Sequence, residues 1–176
     1  MALDAIKPNS IENSVQDLWQ CIIGLYFPYD QSYRHSYKAS ILANNNMPDV
    51  TVIQVLATHP NADFRVAADW AERHILMIEC KRPSMDTPTQ WDNTIEGQFL
   101  DDLLENLNAS CKIFGAVAIG KKVKFFRFDG KKPTGHPNQL VPLHQDVIDL
   151  SDHYQFPHLA YWLDHIKGNG WQWASS

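Results

Sequence analysis

The chain has 176 residues, of which 44% are hydrophobic and 11% aromatic, enough for one domain with a buried core and too many for a disordered polypeptide. Its formal net charge of −5 excludes a protein that is basic as a whole, as many nucleic-acid-binding proteins are. Three widely spaced cysteines form no disulfide or zinc pattern and are typical of a reducing compartment. Residues 1–8 show no secretory signal, and no apolar run reaches membrane-spanning length. We therefore expect an intracellular protein, in the cytoplasm or nucleus, without membrane association.

The first predicted element is an amphipathic helix over 10–26, where apolar residues recur at three- and four-residue spacing. Asn9 or Ser10 can cap its start, and Phe27-Pro28 ends it. A short strand is predicted around 37–42.

Three segments in the middle of the chain are candidates for strands. Residues 50–56 are rich in β-branched side chains and predict a strand. Residues 64–73 are ambiguous between strand and helix. Residues 74–81 are apolar on both faces, which predicts a central strand of a sheet.

A second helix is predicted over 88–108. Thr87 can be its N-cap, Pro88 suits the first helical position, and Gln90 completes a capping box. Apolar residues then recur every four positions on the face expected to contact the sheet: Trp91, Ile95, Phe99, Leu103 and Leu107.

The last third of the chain predicts two strands, a loop and a closing helix. The strands cover 111–119 and 122–128, and the loop covers 131–142. The helix covers 152–167 and is followed by a tail, 168–176, whose tryptophans are expected to pack onto the body of the domain.

Charged residues stand at the ends of two predicted strands. Asp49 follows Pro48 and opens one strand, and the next strand ends in Glu79-Cys80-Lys81. Because side chains alternate along a strand, Glu79 and Lys81 point to one face and Cys80 to the other. If the two strands pair antiparallel, the start of one lies beside the end of the other, and the carboxylates converge. Carboxylate oxygens of this kind select Mg²⁺ or Mn²⁺.

The sequence Pro48-Asp49 followed by Glu79-Cys80-Lys81 resembles the signature of the PD-(D/E)XK nuclease superfamily. The order of predicted elements over 11–128 also resembles the superfamily core: a helix, three antiparallel strands, a second helix and a further strand. The resemblance implies an α/β, restriction-endonuclease-like fold in which a mixed central β-sheet is flanked by helices, in a single domain over 1–176. It implies a Mg²⁺- or Mn²⁺-dependent nuclease that hydrolyses phosphodiester bonds of nucleic acid, with DNA as the expected substrate.

The resemblance also implies roles for individual residues. Asp49 and Glu79 would bind the metal through their carboxylates, and the carbonyl of Cys80 would supply another oxygen. Lys81 would help to activate the attacking water and stabilise the transition state.

Helical residues complete the predicted site. Family members often add an acid from the first helix, and Glu12 is the candidate for this further metal ligand, ahead of Asp17. Gln98 lies beside the sheet-facing stripe of the second helix, where RecB-like exonucleases of the superfamily place a Gln near the active site, followed four residues later by Tyr. Asp102 occupies the position of that Tyr, so the longer exonuclease motif is broken. A partly exposed Gln at a helix edge, without a role, explains Gln98 equally well.

Other interpretations stay open. Asp49 after Pro48 is a common turn residue, and Glu79 with Lys81 could be a surface ion pair of little energetic value. The negative net charge favours a second hypothesis, a catalytically inactive nuclease-fold protein that serves as a protein- or nucleic-acid-binding module. A third is an unrelated α/β domain with a coincidental motif. The sequence leaves open a homodimer and does not distinguish endonuclease from exonuclease.

A basic segment, residues 121–132, stands out in this acidic chain. It holds 6 of the 15 basic residues: Lys121, Lys122, Lys124, Arg127, Lys131 and Lys132. We expect the first four to bind the nucleic-acid backbone. Lys122 and Lys124 share one strand face, whereas Val123 and Phe125 are predicted to face the core. The alternative is an edge strand that its lysines protect against aggregation.

Overall fold

The structure is a computed structural model that describes residues 2–38 and 48–176. It contains a mixed seven-stranded sheet with helices, so the predicted α/β class with a mixed central sheet is confirmed. Within the described ranges, no helix has the length and apolar character needed to cross a membrane.

The helices of the described residues follow one another in this order: α1 (Ala2–Ala5), α2 (Glu12–Tyr26), α3 (Pro88–Thr94), α4 (Leu100–Leu104) and α5 (Phe156–Ser175). A π-helical segment, Ile95–Phe99, joins α3 to α4. The strands are β1 (Tyr33–Tyr37), β2 (Val50–Ala57), β3 (Trp70–Lys81), β4 (Lys112–Ile119), β5 (Lys122–Asp129), β6 (Leu140–Pro142) and β7 (Ile148–Asp149).

The sheet has the order β1-β2-β3-β4-β5-β6, and β7 also pairs with β5. Strands β1, β2 and β3 form an antiparallel meander, β3 and β4 are parallel, and β5 returns antiparallel to β4. The connection between the two parallel strands carries α3 and α4, as a parallel pairing requires a crossover. The carboxyl ends of β3 and β4 therefore meet at one edge of the sheet, where Lys81 pairs with Ile119.

Two apolar cores cover the two faces of the sheet. The larger core packs α2 and α5 against one face, with Trp19, Ile23, Leu163 and Ile166 among its fully buried side chains. The smaller core packs the α3–α4 connection against the other face through buried residues of that connection: Trp91, Phe99 and Leu103.

A bulge in β3 sets which side chains face each core. Val52 pairs with Leu76 while Ile53 pairs with His74, so Ile75 is the extra residue. Beyond the bulge the side chains alternate regularly, and Leu76 packs in the larger core whereas Met77 packs in the smaller one. Continuing this alternation, Glu79 and Lys81 project on the side of the α3–α4 connection.

The two long predicted helices exist, with different ends. The first begins at Glu12 without a side-chain cap, because the Ser10 hydroxyl instead accepts a hydrogen bond from the Lys7 N–H at 2.9 Å. The predicted cap by Asn9 or Ser10 is therefore wrong. Thr87 does cap α3, accepting from the Gln90 N–H at 3.4 Å.

The α3–α4 connection ends at Leu104, four residues before the predicted end at 108. As a result, the last residue of the predicted apolar stripe lies beyond the helix, and Leu107 is 81% exposed.

The strand predicted around 37–42 lies mostly outside the described residues. Just before it, the structure has strand β1 over Tyr33–Tyr37. Part of the ambiguous segment 64–73 is strand, because β3 begins at Trp70, and the predicted loop 131–142 ends in β6.

The predicted tail 168–176 is helical up to Ser175, so the end predicted for the closing helix at Lys167 is wrong. The buried face of α5 continues through Gly170 and Ala174, and this packing outweighs the low helix propensity of glycine. The indole N–H of Trp173 donates to the Phe128 carbonyl at 3.2 Å, and its ring packs against the larger core. The tail therefore packs onto the body, as predicted.

Candidate functional site

The start of β2 and the end of β3 meet at the acids predicted from the sequence. Val50 pairs with Ile78, so the register places Asp49 beside Glu79. Both carboxyl groups are buried, with residue exposures of 2% and 1%. The Cys80 N–H donates to Asp49 Oδ2 at 2.6 Å, so the Asp49 side chain extends the pairing of the two strands past the end of β2.

Lys81 links the strand end to two helices. Its ammonium donates to Glu79 Oε1 at 2.5 Å and to Gln98 Oε1, on the π-helical segment, at 3.1 Å. Glu12 Oε2, at the start of α2, lies 3.8 Å from Lys81 Nζ. The structure thus brings Glu12, Asp49, Glu79, Lys81 and Gln98 to one place, whereas Asp17, the second choice in α2, is exposed.

Gln16 is a site residue that the sequence reasoning missed. Its amide donates to the carbonyl oxygens of Lys38 and Asp49, each at 3.1 Å, and the side chain is 7% exposed. It thereby fixes the backbone that carries the Asp49 carboxylate. The available signal was its position one helical turn after Glu12, which places both residues on one face of α2.

Asp102, in α4, was noted in the sequence only as a break in the exonuclease motif. The structure buries it to 3% exposure, with its carboxyl group beside that of Glu79. Its spacing of four residues from Gln98 was the available signal, because residues four apart share a helix face.

Burial and crowding shift the pKa of the acids upward. Burial, reinforced by the neighbouring Asp49 charge, raises the pKa of Glu79 to about 8, although Lys81 opposes the rise. Burial also raises the pKa of Asp102 to about 6, with the Asp49 charge contributing. Burial, more than the crowding of the acids, is the main cause of both shifts.

The pKa of Asp49 is also raised, although two kinds of interaction favour its ionised form. Burial raises the pKa, while the hydrogen bond from the Cys80 N–H and the charges of Lys38 and Lys81 lower it. The pKa of Lys81 is raised: burial alone would lower it, but the adjacent Glu79, Glu12 and Asp49 charges outweigh burial. The site therefore combines a firmly cationic lysine with carboxyl groups that hold protons unusually well.

The donor set fits a hard divalent cation in its chemistry. Two buried carboxyl oxygens, Glu79 Oε2 and Asp102 Oδ2, receive no hydrogen bond from the described residues, which is costly unless a proton or cation compensates. The Cys80 thiol is fully buried with a pKa well above its usual value, so only the backbone carbonyl of this residue suits the ligand role. In the described part of the chain, no three acidic, histidine or cysteine side chains are arranged as a metal-binding group.

The basic segment divides between the two faces of the sheet. Lys122 and Lys124 lie on the side of the α3–α4 connection, and Val123 and Phe125 are fully buried on the other side, as predicted. Arg127 lies elsewhere, with its guanidinium 4.9 Å from the ring centre of Trp173. Lys122 forms an ion pair with Asp86 at 2.7 Å.

The edge-strand interpretation of this segment is wrong, because β5 is covered by further strands. β6 pairs with its second half and β7 with its beginning. Between them, His144 Nε2 accepts a hydrogen bond from the Phe125 N–H at 3.0 Å, and the Leu143 N–H donates to the Phe125 carbonyl at 2.9 Å.

No protein-family model matches the chain, and no curated protein or solved structure shows significant similarity to it.

Proposed function

We propose that the protein is a divalent-metal-dependent nuclease of the PD-(D/E)XK type that hydrolyses phosphodiester bonds in nucleic acid, with DNA as the expected substrate. The observation that carries the proposal is the meeting of Asp49, Glu79 and Lys81 at adjoining strand ends, with Gln98 bonded to the same lysine. A half-buried lysine beside buried acids is costly to maintain without a function that uses the charges.

The topology supports the same proposal. A helix, an antiparallel meander of three strands, a helical crossover and a parallel fourth strand follow each other along the chain. This is the order that the PD-(D/E)XK resemblance implies, and it places the motif residues at neighbouring strand ends.

Each side chain has a role that follows from its position. Asp49 and Glu79 would hold Mg²⁺ or Mn²⁺, with the Cys80 carbonyl and Glu12 as further oxygen donors. The bound cation would neutralise charge on the phosphate and lower the pKa of the attacking water. Lys81 has three N–H donors; Glu79 and Gln98 take two, and the third can reach a phosphate oxygen and stabilise the charge that develops there.

The surroundings of the site support binding of a phosphate backbone. The Lys81 position pairs with Ile119, which pairs in turn with Lys122, so the two lysines stand two strands apart, roughly 10 Å. A cavity of about 390 Å³ lies at this edge of the sheet, and its lining includes three lysines, Lys7, Lys121 and Lys122, and two acids, Asp86 and Asp149. Lys121, Lys122 and Lys124 would therefore contact the backbone near the reacting phosphate, without reading bases.

One observation favours the alternative, an inactive nuclease-fold module that binds protein or nucleic acid. Lys81 bonds directly to Glu79 Oε1, an oxygen that a cation would otherwise use, and this ion pair can be purely structural. Titration with Mn²⁺ separates the two functions, because an inactive module has no need of the cation.

Three variants test the proposal by Mn²⁺ calorimetry and cleavage of plasmid DNA: Asp49→Asn, Glu79→Gln and Lys81→Met. We expect the two carboxylate variants to lose Mn²⁺ binding and at least 100-fold of the cleavage rate. Lys81→Met should lose cleavage but retain Mn²⁺ binding, since the lysine is not a ligand. Asp92→Asn, at an exposed position of α3, is the matched control and should change neither.

The outcome that contradicts the proposal is clear. If Asp49→Asn and Glu79→Gln bind Mn²⁺ and cleave DNA like the control, the site is wrongly assigned. If the unmodified protein binds DNA but neither binds Mn²⁺ nor cleaves, the inactive module is the correct function.

A further inference from the structure

Two buried oxygens at the candidate site are left without a hydrogen-bond donor among the described residues. They are Glu79 Oε2, at the end of β3, and Asp102 Oδ2, in α4. The two residues are 1% and 3% exposed, so bulk water does not solvate these oxygens. The two carboxyl groups lie side by side, close enough for one shared proton to link them.

Lys81 donates no hydrogen bond to either of these two oxygens. Its ammonium bonds to Glu79 Oε1, the other oxygen of that carboxylate. A cation bound by Glu79 would therefore use Oε2, the oxygen of this carboxyl group that lacks a donor.

The excess of acidic over basic side chains around the site also favours a bound cation. Five acids act on the carboxyl groups of the site, against two lysines, Lys38 and Lys81. The acids are Glu12, Asp49, Glu79, Asp102 and Glu105. When all five are ionised, the cluster carries an excess of three negative charges, of which one divalent ion neutralises two.

We propose that Asp102 is a ligand of the divalent cation, which it binds together with Glu79 through the two oxygens that lack a donor. The inference rests on the proposed function, since it takes Glu79 as a cation ligand. Mg²⁺ is commonly held by one or two carboxylates and several waters, so this pair is a sufficient anchor. Asp102 lies outside the Asp49 and Glu79-Cys80-Lys81 motif, so the motif alone does not predict this ligand.

The test compares Asp102→Asn with Asp101→Asn in Mn²⁺ calorimetry on the full chain. Asp101 is the exposed neighbour in the same helix, so its variant controls for the loss of one negative charge nearby. We expect the affinity for Mn²⁺ to fall at least tenfold in Asp102→Asn and to stay within twofold in Asp101→Asn. Equal affinities in the two variants would overturn the inference.

A second measurement guards against a folding defect. The Mn²⁺-induced rise in melting temperature is recorded for the unmodified protein, Asp102→Asn and Asp102→Ser. Both variants should fold without metal, because each removes one of two abutting carboxyl groups, and both should lose most of the Mn²⁺-induced rise. A full rise in either variant that folds contradicts the ligand role.

Glu79→Gln, measured in parallel, separates this inference from the proposed function. If Glu79→Gln loses Mn²⁺ binding and cleavage while Asp102→Asn keeps both, the nuclease stands and Asp102 is no ligand. If Glu79→Gln also keeps both, the nuclease proposal and the inference fail together.

Discussion

Gln16 and Asp49 are 33 residues apart in the chain, and the Gln16 amide donates a hydrogen bond to the Asp49 carbonyl at 3.1 Å. The same amide donates to the Lys38 carbonyl, and the Lys38 N–H donates to the Asp49 carbonyl at 3.1 Å. One buried helix side chain therefore holds the ends of β1 and β2 together at the point where the first acid of the site emerges.

Replacing Gln16 with Leu should destabilise the protein by about 1–3 kcal/mol, because the half-buried Lys38 carbonyl loses the donor from Gln16 and the Asp49 carbonyl keeps only the bond from the Lys38 N–H. The cleavage rate should fall as well, since the Asp49 backbone is no longer fixed. Urea unfolding and DNA cleavage measure the two effects. Asn13→Leu, at an exposed position of the same helix, should leave both unchanged; an equally stable Gln16→Leu protein would show that the amide does not support the site.

Replacing Glu79 with Gln should change how stability depends on pH. The pKa of Glu79 is raised from an ordinary 4.5 to about 8, so between these values the folded protein holds a proton that the unfolded chain has lost. Stability therefore falls as pH rises through this window, by up to about 1.4 kcal/mol per pH unit, and Gln removes this contribution. Above pH 6, where Asp102 has largely lost its proton, the effect of the substitution should be clearest.

The measurement is urea unfolding at pH 5, 6.5 and 8 without divalent cations. Glu79→Gln should be more stable than the unmodified protein at pH 8 and should differ little from it at pH 5. Glu96→Gln, at an exposed position, should keep the original slope. An unchanged slope between pH 6.5 and 8 in Glu79→Gln would mean that this carboxyl does not hold the proton.

The double replacement of Lys122 and Lys124 with Glu tests the nucleic-acid surface. We expect weaker binding to unrelated DNA sequences and a shallower salt dependence, because fewer counterions are released. Arg127→Glu reverses one charge on the opposite face and should have a smaller effect than either Lys122→Glu or Lys124→Glu alone, since its guanidinium stacks on Trp173. Fluorescence anisotropy at several salt concentrations measures both; an unchanged affinity and slope in the double variant would exclude these lysines from the interface.

Two glycines of α5 should respond to alanine in opposite ways. At Gly168 an added Cβ meets nothing within 4 Å, so Gly168→Ala should stabilise the helix by about 0.5–1 kcal/mol. At Gly170 an added Cβ would lie 2.9 Å from the Ile75 Cβ, so Gly170→Ala should cost about 1–3 kcal/mol. Chemical denaturation of both variants decides this, and equal stabilisation would show that α5 does not lie this close to the sheet.

The sequence predicts best those elements whose signals are local. The β-branched run of β2 and the Thr87-Pro88 start of α3 are each specified by neighbouring residues, and both appear in the structure. The end of α5 was not predictable in this way, because its glycines read as helix breakers. Gly170 lies so close to Ile75 of β3 that only glycine fits between the helix and the sheet. This tertiary packing, which the local sequence does not reveal, stabilises the helix despite the glycine.

The residues of the candidate site also differ in how well local sequence signals predict their positions. Strand alternation and antiparallel pairing were enough to place Asp49, Glu79 and Lys81 together. Gln16 and Asp102 were missed because their positions depend on how two helices pack against opposite faces of the sheet, and helix periodicity alone does not fix that packing.

Cys80 gives the protein a built-in reporter of local opening. Its thiol is fully buried in the larger core, on the face of β3 opposite Glu79 and Lys81, whereas Cys21 and Cys111 are exposed. With Cys21 and Cys111 replaced by Ser, an alkylating reagent can react only when the end of β3 separates from the larger core. The labelling rate then gives the free energy of this local opening of β3. A ligand that binds only the closed form should slow the labelling as its concentration rises.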